Sequence, residues 1–188
     1  MTNAIQSQYL QIKETERLYL RPLQMADIED WQAFCKDSIA TQYFPSEFTA
    51  NPNMAKDWVE KQLARYRDGT FGMLALIEKE TGAYVGQCGL LTRLEFEPNE
   101  LEVGYSLIRE FWGKGYASEA AQYLRDYAFK HNLKHEITSM INPENKPSIN
   151  VALKNGMTDT GLVDFFGMKH HRFCITRDEW EKNKAETK

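Results

Sequence analysis

Cysteine is scarce in this chain, and its spacing forms no pair. Cys35, Cys88 and Cys174 are the only three, with no CxxC among them. They read as buried, reduced thiols of a cytosolic protein rather than a disulfide framework. No base stands near any of them in sequence, so a covalent acyl-cysteine route lacks an activated thiol. The four histidines, His131, His135, His170 and His171, lack the spacing of a zinc site, and no metal is expected. Long apolar runs are also missing. The opening MTNAIQSQYLQIKETER has no apolar core, and no stretch approaches a membrane span, which points to a cytoplasmic protein with no membrane partner. Nor is there a basic stripe. A net charge of -4 and a pI near 5.6 argue against nucleic acid as the main ligand, while leaving room for a local basic pocket for a phosphorylated cofactor.

Repeats, low-complexity runs and linkers are absent as well, which leaves one domain over residues 1–188. A chain of 188 residues with 42% hydrophobic content is long enough to bury roughly 70% of its unfolded surface. Residues 1–15 are polar and read as a loose lead-in. RLYLRPL (17–23) alternates as a first strand that stops at Pro22. Asp27 is the expected cap of a helix over 28–37, and Asn53 of a second over 54–68 that ends at Gly69. Between them IATQYFPSEFTANP is an aromatic loop with the length of a substrate lid. The period then changes. FGMLALIE (71–78), AYVGQCGLL (83–91) and ELEVGYSLI (100–108) read as strands, and the turns KETG and EFEPN make an antiparallel meander of them. SEAAQYLRDYAFKHN (118–132) has one apolar face and reads as a helix on that sheet. EITSMI (136–141) is a fifth strand, PSINVALKNG (147–156) a short helix, and about 158–166 and 170–176 two last strands. The fold class is α+β.

The stretch FWGKGYASEAAQYL (111–124) places Gly113 and Gly115 around Lys114 directly before a helix. Two glycines there serve either an ordinary loop or a fan of bare backbone N–H groups at a helix start, where the dipole favours an anion. A Walker loop is absent, and the hairpin signals oppose a parallel dinucleotide fold.

Together with TERLYLRPLQMADIEDW and INPENKPSINVALKNGM, this stretch gives the chain a resemblance to a family. From about residue 15 to 180 it resembles a Gcn5-related N-acetyltransferase (GNAT) of the branch that holds the ribosomal-protein N-terminal acetyltransferases. The resemblance implies a mixed, mostly antiparallel seven-stranded sheet, splayed between its fourth and fifth strands, with helices on both faces. It implies acetyl-CoA as co-substrate and no metal. The family's pyrophosphate loop maps onto residues 112–117, so the N–H groups of Gly113, Lys114, Gly115, Tyr116, Ala117 and Ser118 would face the coenzyme A diphosphate, with Lys114 adding a cation. Trp112 departs from the Gln or Arg of the pattern. The main chain at Tyr105, Ser106 and Leu107 would bond the pantetheine arm. Gly104 marks either a bulge, a close approach, or a glycine merely tolerated in a strand.

Acyl transfer to an amine needs a neutral amine and a stabilised leaving thiolate. By the resemblance Glu102 is the candidate base, through a water, against the plainer reading of a solvated strand glutamate like Glu95, Glu97 and Glu100. The helix after the fifth strand carries no tyrosine to serve as acid. The resemblance to the branch with Asn-x-x-Ser at this place implies Asn145 as a pantetheine ligand and Ser148, or a water, as the acid, against capping and turn chemistry for both. The expectation is direct N-acetyl transfer in a ternary complex, and the rival is an acyl-CoA-binding regulator without turnover. The acceptor is a protein N-terminus or a small amine such as a polyamine or aminoglycoside, and EFEPNELE tilts toward a cationic one. Exposed final strands and the aromatics of HHRFCITRDEW tilt toward a homodimer.

Overall fold

The first fifteen residues are not a loose lead-in. In the computed structural model, which describes residues 2–94, 96 and 100–186, they form helix α1 (Thr2–Tyr9) and a two-residue strand β1 (Lys13–Glu14). Tyr9 explains why. Its fully buried hydroxyl donates to the Gly72 carbonyl at 2.6 Å and accepts the Leu90 N–H at 3.0 Å, and its ring meets Phe71 edge-on. The Lys13 ammonium then donates to the carbonyls of Gln8, Tyr9 and Gln11 at the end of the helix. A low overall hydropathy hides one anchoring side chain of this kind. Tyr9→Phe strands two buried backbone groups and should cost about 1–3 kcal/mol, read as a lower urea midpoint at unchanged slope.

Strand β2 (Leu18–Pro22) begins an antiparallel meander with β3 (Met73–Glu78), β4 (Tyr84–Arg93) and β5 (Glu100–Leu107). Alternation buries both faces of it. Leu74, Leu76, Leu90 and Val103 point into one core, while Met73, Ala75 and Leu91 point into another. Between β2 and β3 run α2 (Asp27–Cys35), a single turn α3 (Ser46–Thr49) and α4 (Met54–Arg67). Trp31, Phe34 and Val59 from α2 and α4 fill the second core. The first core is covered by α5 (Tyr116–Lys130), whose Ala120, Leu124 and Phe129 follow the apolar stripe. Then come β6 (Glu136–Ile141), α6 (Lys146–Lys154), β7 (Thr158–Phe165), β8 (Met168–Thr176) and α7 (Arg177–Glu186). The last helix was not expected from sequence.

The eight-stranded sheet runs β1-β2-β3-β4-β5-β6-β8-β7, the expected seven strands plus the short β1. Strands β5 and β6, the expected fourth and fifth, are parallel and share one register pair, Glu102 with Thr138. Ser139 Oγ donates to the Val103 carbonyl at 2.7 Å there, and beyond that point the two strands part.

Local expectations were corrected. Asp27 is not a cap but a buried residue of the first turn of α2. Its carboxylate is paired to Arg21 at 2.6 Å and accepts the Gln24 N–H at 2.7 Å. Asn53 sits at the start of α4 without a side-chain capping bond. Phe173 and Trp180, counted as aromatic surface for a second copy, are buried in the first core, which removes that argument for a homodimer. Most of the EFEPN turn lies outside the described residues. Among those described, no helix is long and apolar enough to cross a membrane.

Candidate active site

After β5 the chain makes one 3₁₀ turn (Arg109–Phe111), and the Trp112 indole N–H closes it by donating to the Leu107 carbonyl at 2.7 Å. The indole, 40% exposed, therefore fastens the loop from its surface side. Gly113 and Gly115 both adopt left-handed backbone, φ 74° and 86°, which is strained for any residue with a Cβ. Gly115 is the N-cap of α5 and supplies no side-chain cap, and the first intrahelical bond runs from the Glu119 N–H to its carbonyl. The N–H groups of Tyr116, Ala117 and Ser118 precede that bond and have no acceptor within the helix. These three residues, with Gly113 and Gly115, line one side of a groove of about 440 Å³. Lys114 does not line it. Its ammonium lies 5.0 Å from the Phe111 ring centroid, and its carbonyl is turned outward to Arg17. Phe111 itself lines the groove, so the Lys114 ammonium lies over one of its walls.

The groove continues into the gap between β5 and β6. The Val103 carbonyl faces β6, so strand alternation turns the main chain of Tyr105 and Leu107 the same way and that of Ser106 toward β4. Ser106 pairs with Gln87 there, and the Leu107 carbonyl already serves Trp112. What faces the gap is the Tyr105 peptide and the Leu107 N–H. Of the readings open for Gly104 the bulge is absent, since the β4–β5 register runs unbroken from Gly86 to Arg93. Close approach requires glycine on the neighbouring strand instead, at Gly86, where a Cβ would lie 2.5 Å from the Ser106 carbonyl oxygen, and at Gly89, where it would lie 2.4 Å from Met73 Cα.

Across the gap stands the start of α6. Asn145 caps it, its Oδ1 accepting the Ser148 N–H at 3.1 Å, and it also lines the groove. Ser148 meets a partner that the sequence reading missed. Its Oγ donates to the Tyr105 hydroxyl at 3.0 Å, and that hydroxyl donates to the Ser148 carbonyl at 2.9 Å. A tyrosine does reach the place sought on the helix, but from β5. Burial pushes its phenol well above the ordinary range, so it stays a neutral donor.

Beyond this pair lies a second cavity of about 200 Å³, lined by Phe44, Phe48, Trp58, Phe165 and Phe166. Glu102 lines it and is no solvated glutamate. It is 5% exposed and bonded to the Arg93 guanidinium, which also stacks 4.9 Å from the Phe165 ring centroid. Glu102, Gly104 and Ser106 follow one another on one face of β5, and the bare Gly104 leaves the space beside the carboxylate open. Glu100 likewise is half-buried and paired with Arg172 at 2.9 Å, whereas Glu95 and Glu97 lie outside the described residues. The two cavities share Tyr43, Phe44, Tyr105, Ser106, Asn145 and Ser148. Tyr43, from the loop expected as a lid, donates to the Glu144 carbonyl at 3.2 Å and so bridges their junction. Burial raises the thiols of Cys35, to about 12, and of Cys88 and Cys174. Among the described residues no three metal-ligating side chains cluster.

The acetyltransferase (GNAT) domain family model matches residues 17–158. An uncharacterized N-acetyltransferase p20 of Bacillus licheniformis is 32% identical over 149 residues, 79% of this chain and 83% of its own. The crystal structure of a GNAT-family acetyltransferase from Bacillus anthracis superposes with a TM-score of 0.76 at 26% identity, covering 89% of this chain and 99% of that one. Mycobacterium smegmatis RimJ in complex with CoA-disulfide shares the fold, with a TM-score of 0.68 at 20% identity over 89% of this chain and 88% of its own.

Proposed function

The chain belongs to the GNAT acetyltransferase family and is an N-acetyltransferase of it, and from that premise we propose that it moves an acetyl group from acetyl-CoA directly to a primary amine in a ternary complex. The observation that carries this reading is the meeting of two cavities at Tyr105, Ser106, Asn145 and Ser148. The groove takes the coenzyme, with the diphosphate on the N–H groups of Gly113, Gly115 and Tyr116 to Ser118 and the pantetheine arm along Tyr105 and Leu107. Mycobacterium smegmatis RimJ, which shares the fold, is solved in complex with CoA-disulfide, which supports a coenzyme A ligand for this fold. The aromatic chamber takes the amine.

The amine nitrogen attacks the thioester carbonyl carbon, the C–S bond breaks, and the sulfur leaves as thiolate. Glu102 accepts the proton that the attacking nitrogen must shed, directly or through a water. Ser148, held beside the Tyr105 hydroxyl, turns its hydroxyl proton from that oxygen to the thiolate and regains a proton from solvent. Raised thiol pKa values at all three cysteines argue for direct transfer over an acyl-cysteine. Aromatic rings line part of the chamber, and among the described residues Lys61, Arg65 and Arg93 accompany a single carboxylate, Glu102. That balance favours a single amine with an apolar or anionic flank over a polyamine or aminoglycoside.

The test is a panel of N-terminal peptides, monoamines, polyamines and aminoglycosides, followed by thiol release and by mass of the product. Acetyl transfer to a monoamine or peptide with an apolar or acidic flank is expected. Binding of coenzyme A with no thiol release across the panel would instead favour a non-catalytic regulator.

A further inference from the structure

The segment TERL, residues 15–18, has no part in the chemistry above, yet it lies against the outer side of the phosphate loop. Arg17 bonds in three directions. Its Nε donates to Glu119 Oε2 at 2.7 Å, its Nη1 donates to the Lys114 carbonyl at 2.8 Å, and its guanidinium carbon lies 4.6 Å from the Tyr116 ring centroid. Glu119 is itself fixed by the same turn, since its Oε1 accepts the Thr15 hydroxyl at 2.5 Å and the Arg17 N–H at 2.8 Å. Thr15 is fixed in turn by the Leu18 N–H at 3.1 Å.

We propose that Arg17 is a positioning residue for acetyl-CoA binding, which holds the Lys114–Gly115 peptide so that the Gly115 N–H faces the diphosphate. The inference rests on the cradle reading given above. In a trans peptide the carbonyl and the following N–H point in opposite directions. With the Lys114 carbonyl drawn outward to Arg17, the Gly115 N–H is turned inward, and Gly115 lines the groove where Lys114 does not. A loop with two left-handed glycines has many conformations to lose when it binds an anion, and a fixed carbonyl removes that cost beforehand. Burial opposes ionisation of Glu119, but the bonds from Thr15 and Arg17 together hold its carboxyl below the usual range, so the clamp stays charged at neutral pH. Arg17 acts through the peptide, with its fork divided between a carboxylate and a carbonyl. A lysine ammonium lacks the planar fork to hold both in this geometry.

Arg17→Ala and Arg17→Lys in the full chain test this. Both should weaken coenzyme A by about tenfold in calorimetry, and raise KM for acetyl-CoA alike, with kcat within twofold of wild type. Second-order rate constants with S-acetyl-pantetheine, which has no diphosphate, should stay within twofold. An equal loss on both donors, tracking a fall in Tm, would make Arg17 a residue of stability alone and overturn the proposal. Full rescue by Arg17→Lys would overturn it too, by showing that charge near the diphosphate suffices. Gly115→Val separates the two levels. If it weakens coenzyme A while Arg17→Ala does not, the cradle stands and the clamp falls. If neither does, the cradle itself is misplaced.

Discussion

Gly115→Val is expected to weaken acetyl-CoA binding by on the order of 10²-fold while the domain remains folded. The reason lies in the backbone. At φ 86° a β-branched residue is strained by roughly 1–3 kcal/mol, and it relaxes by turning the peptide away. A Cβ there would meet Arg17 Nη2 at 3.3 Å, so the added side chain presses on the guanidinium that holds the loop. Lost charge-assisted bonds from the loop to the diphosphate account for the rest. Gly115→Ala should fall between the two. Calorimetry with coenzyme A, beside a thermal melt, checks both statements, and wild-type affinity in the valine variant would remove the cradle assignment.

The proton transfers give the second large effect. Glu102→Gln should lower kcat/KM by on the order of 10²-fold at low pH, where the acceptor is mostly ammonium and a base must remove its proton. The loss should shrink as pH rises toward the amine's own pKa, because free amine becomes abundant. The variant also leaves the Arg93 guanidinium without its carboxylate in a site where Glu102 is 5% exposed, so some fall in Tm accompanies it. The pH dependence distinguishes the two roles, since a stability loss alone would shift the profile downward in parallel. Ser148→Ala should lower kcat by on the order of 10–10³ with acetyl-CoA affinity nearly intact. Tyr105→Phe should follow in the same direction and by less, as it removes the orienting hydroxyl but leaves the serine. Unchanged turnover in Ser148→Ala would give the acid role to water.

The strands of the meander were legible because alternation of Leu18 and Leu20, or of the residues flanking Val103, is a local property of the chain. The phosphate loop was legible for the same reason, since two glycines before an apolar helix stripe lie within a few residues of one another. What escaped was side-chain choice between equivalent local roles. Asp27 at a helix start serves equally as a cap or as a partner for Arg21, and the choice depends on how the turn after β2 brings that guanidinium, six residues upstream, back to the helix. Ser148 and Tyr105 are 43 residues apart and meet only because β5 and β6 diverge. Tyr9 counts as one aromatic in a polar run, although its hydroxyl ties the Gly72 and Leu90 backbones together. A signal for Arg17 was present in TERL, but its meaning depends on where Lys114 turns its carbonyl.

The single register pair between β5 and β6 has a consequence for cooperativity. Hydrogen-bonded ladders join β1 through β5 into one block and β6, β8 and β7 into another. Ser139 to Val103, Arg172 to Glu100, and Ser148 to Tyr105 fasten the blocks through side chains. Such a seam is expected to open by sub-global unfolding at a free energy below that of the whole domain. On the reading proposed above, an extended ligand arm in the seam would act as a strand common to both blocks. Coenzyme A is then expected to slow amide exchange on both sides of the seam together.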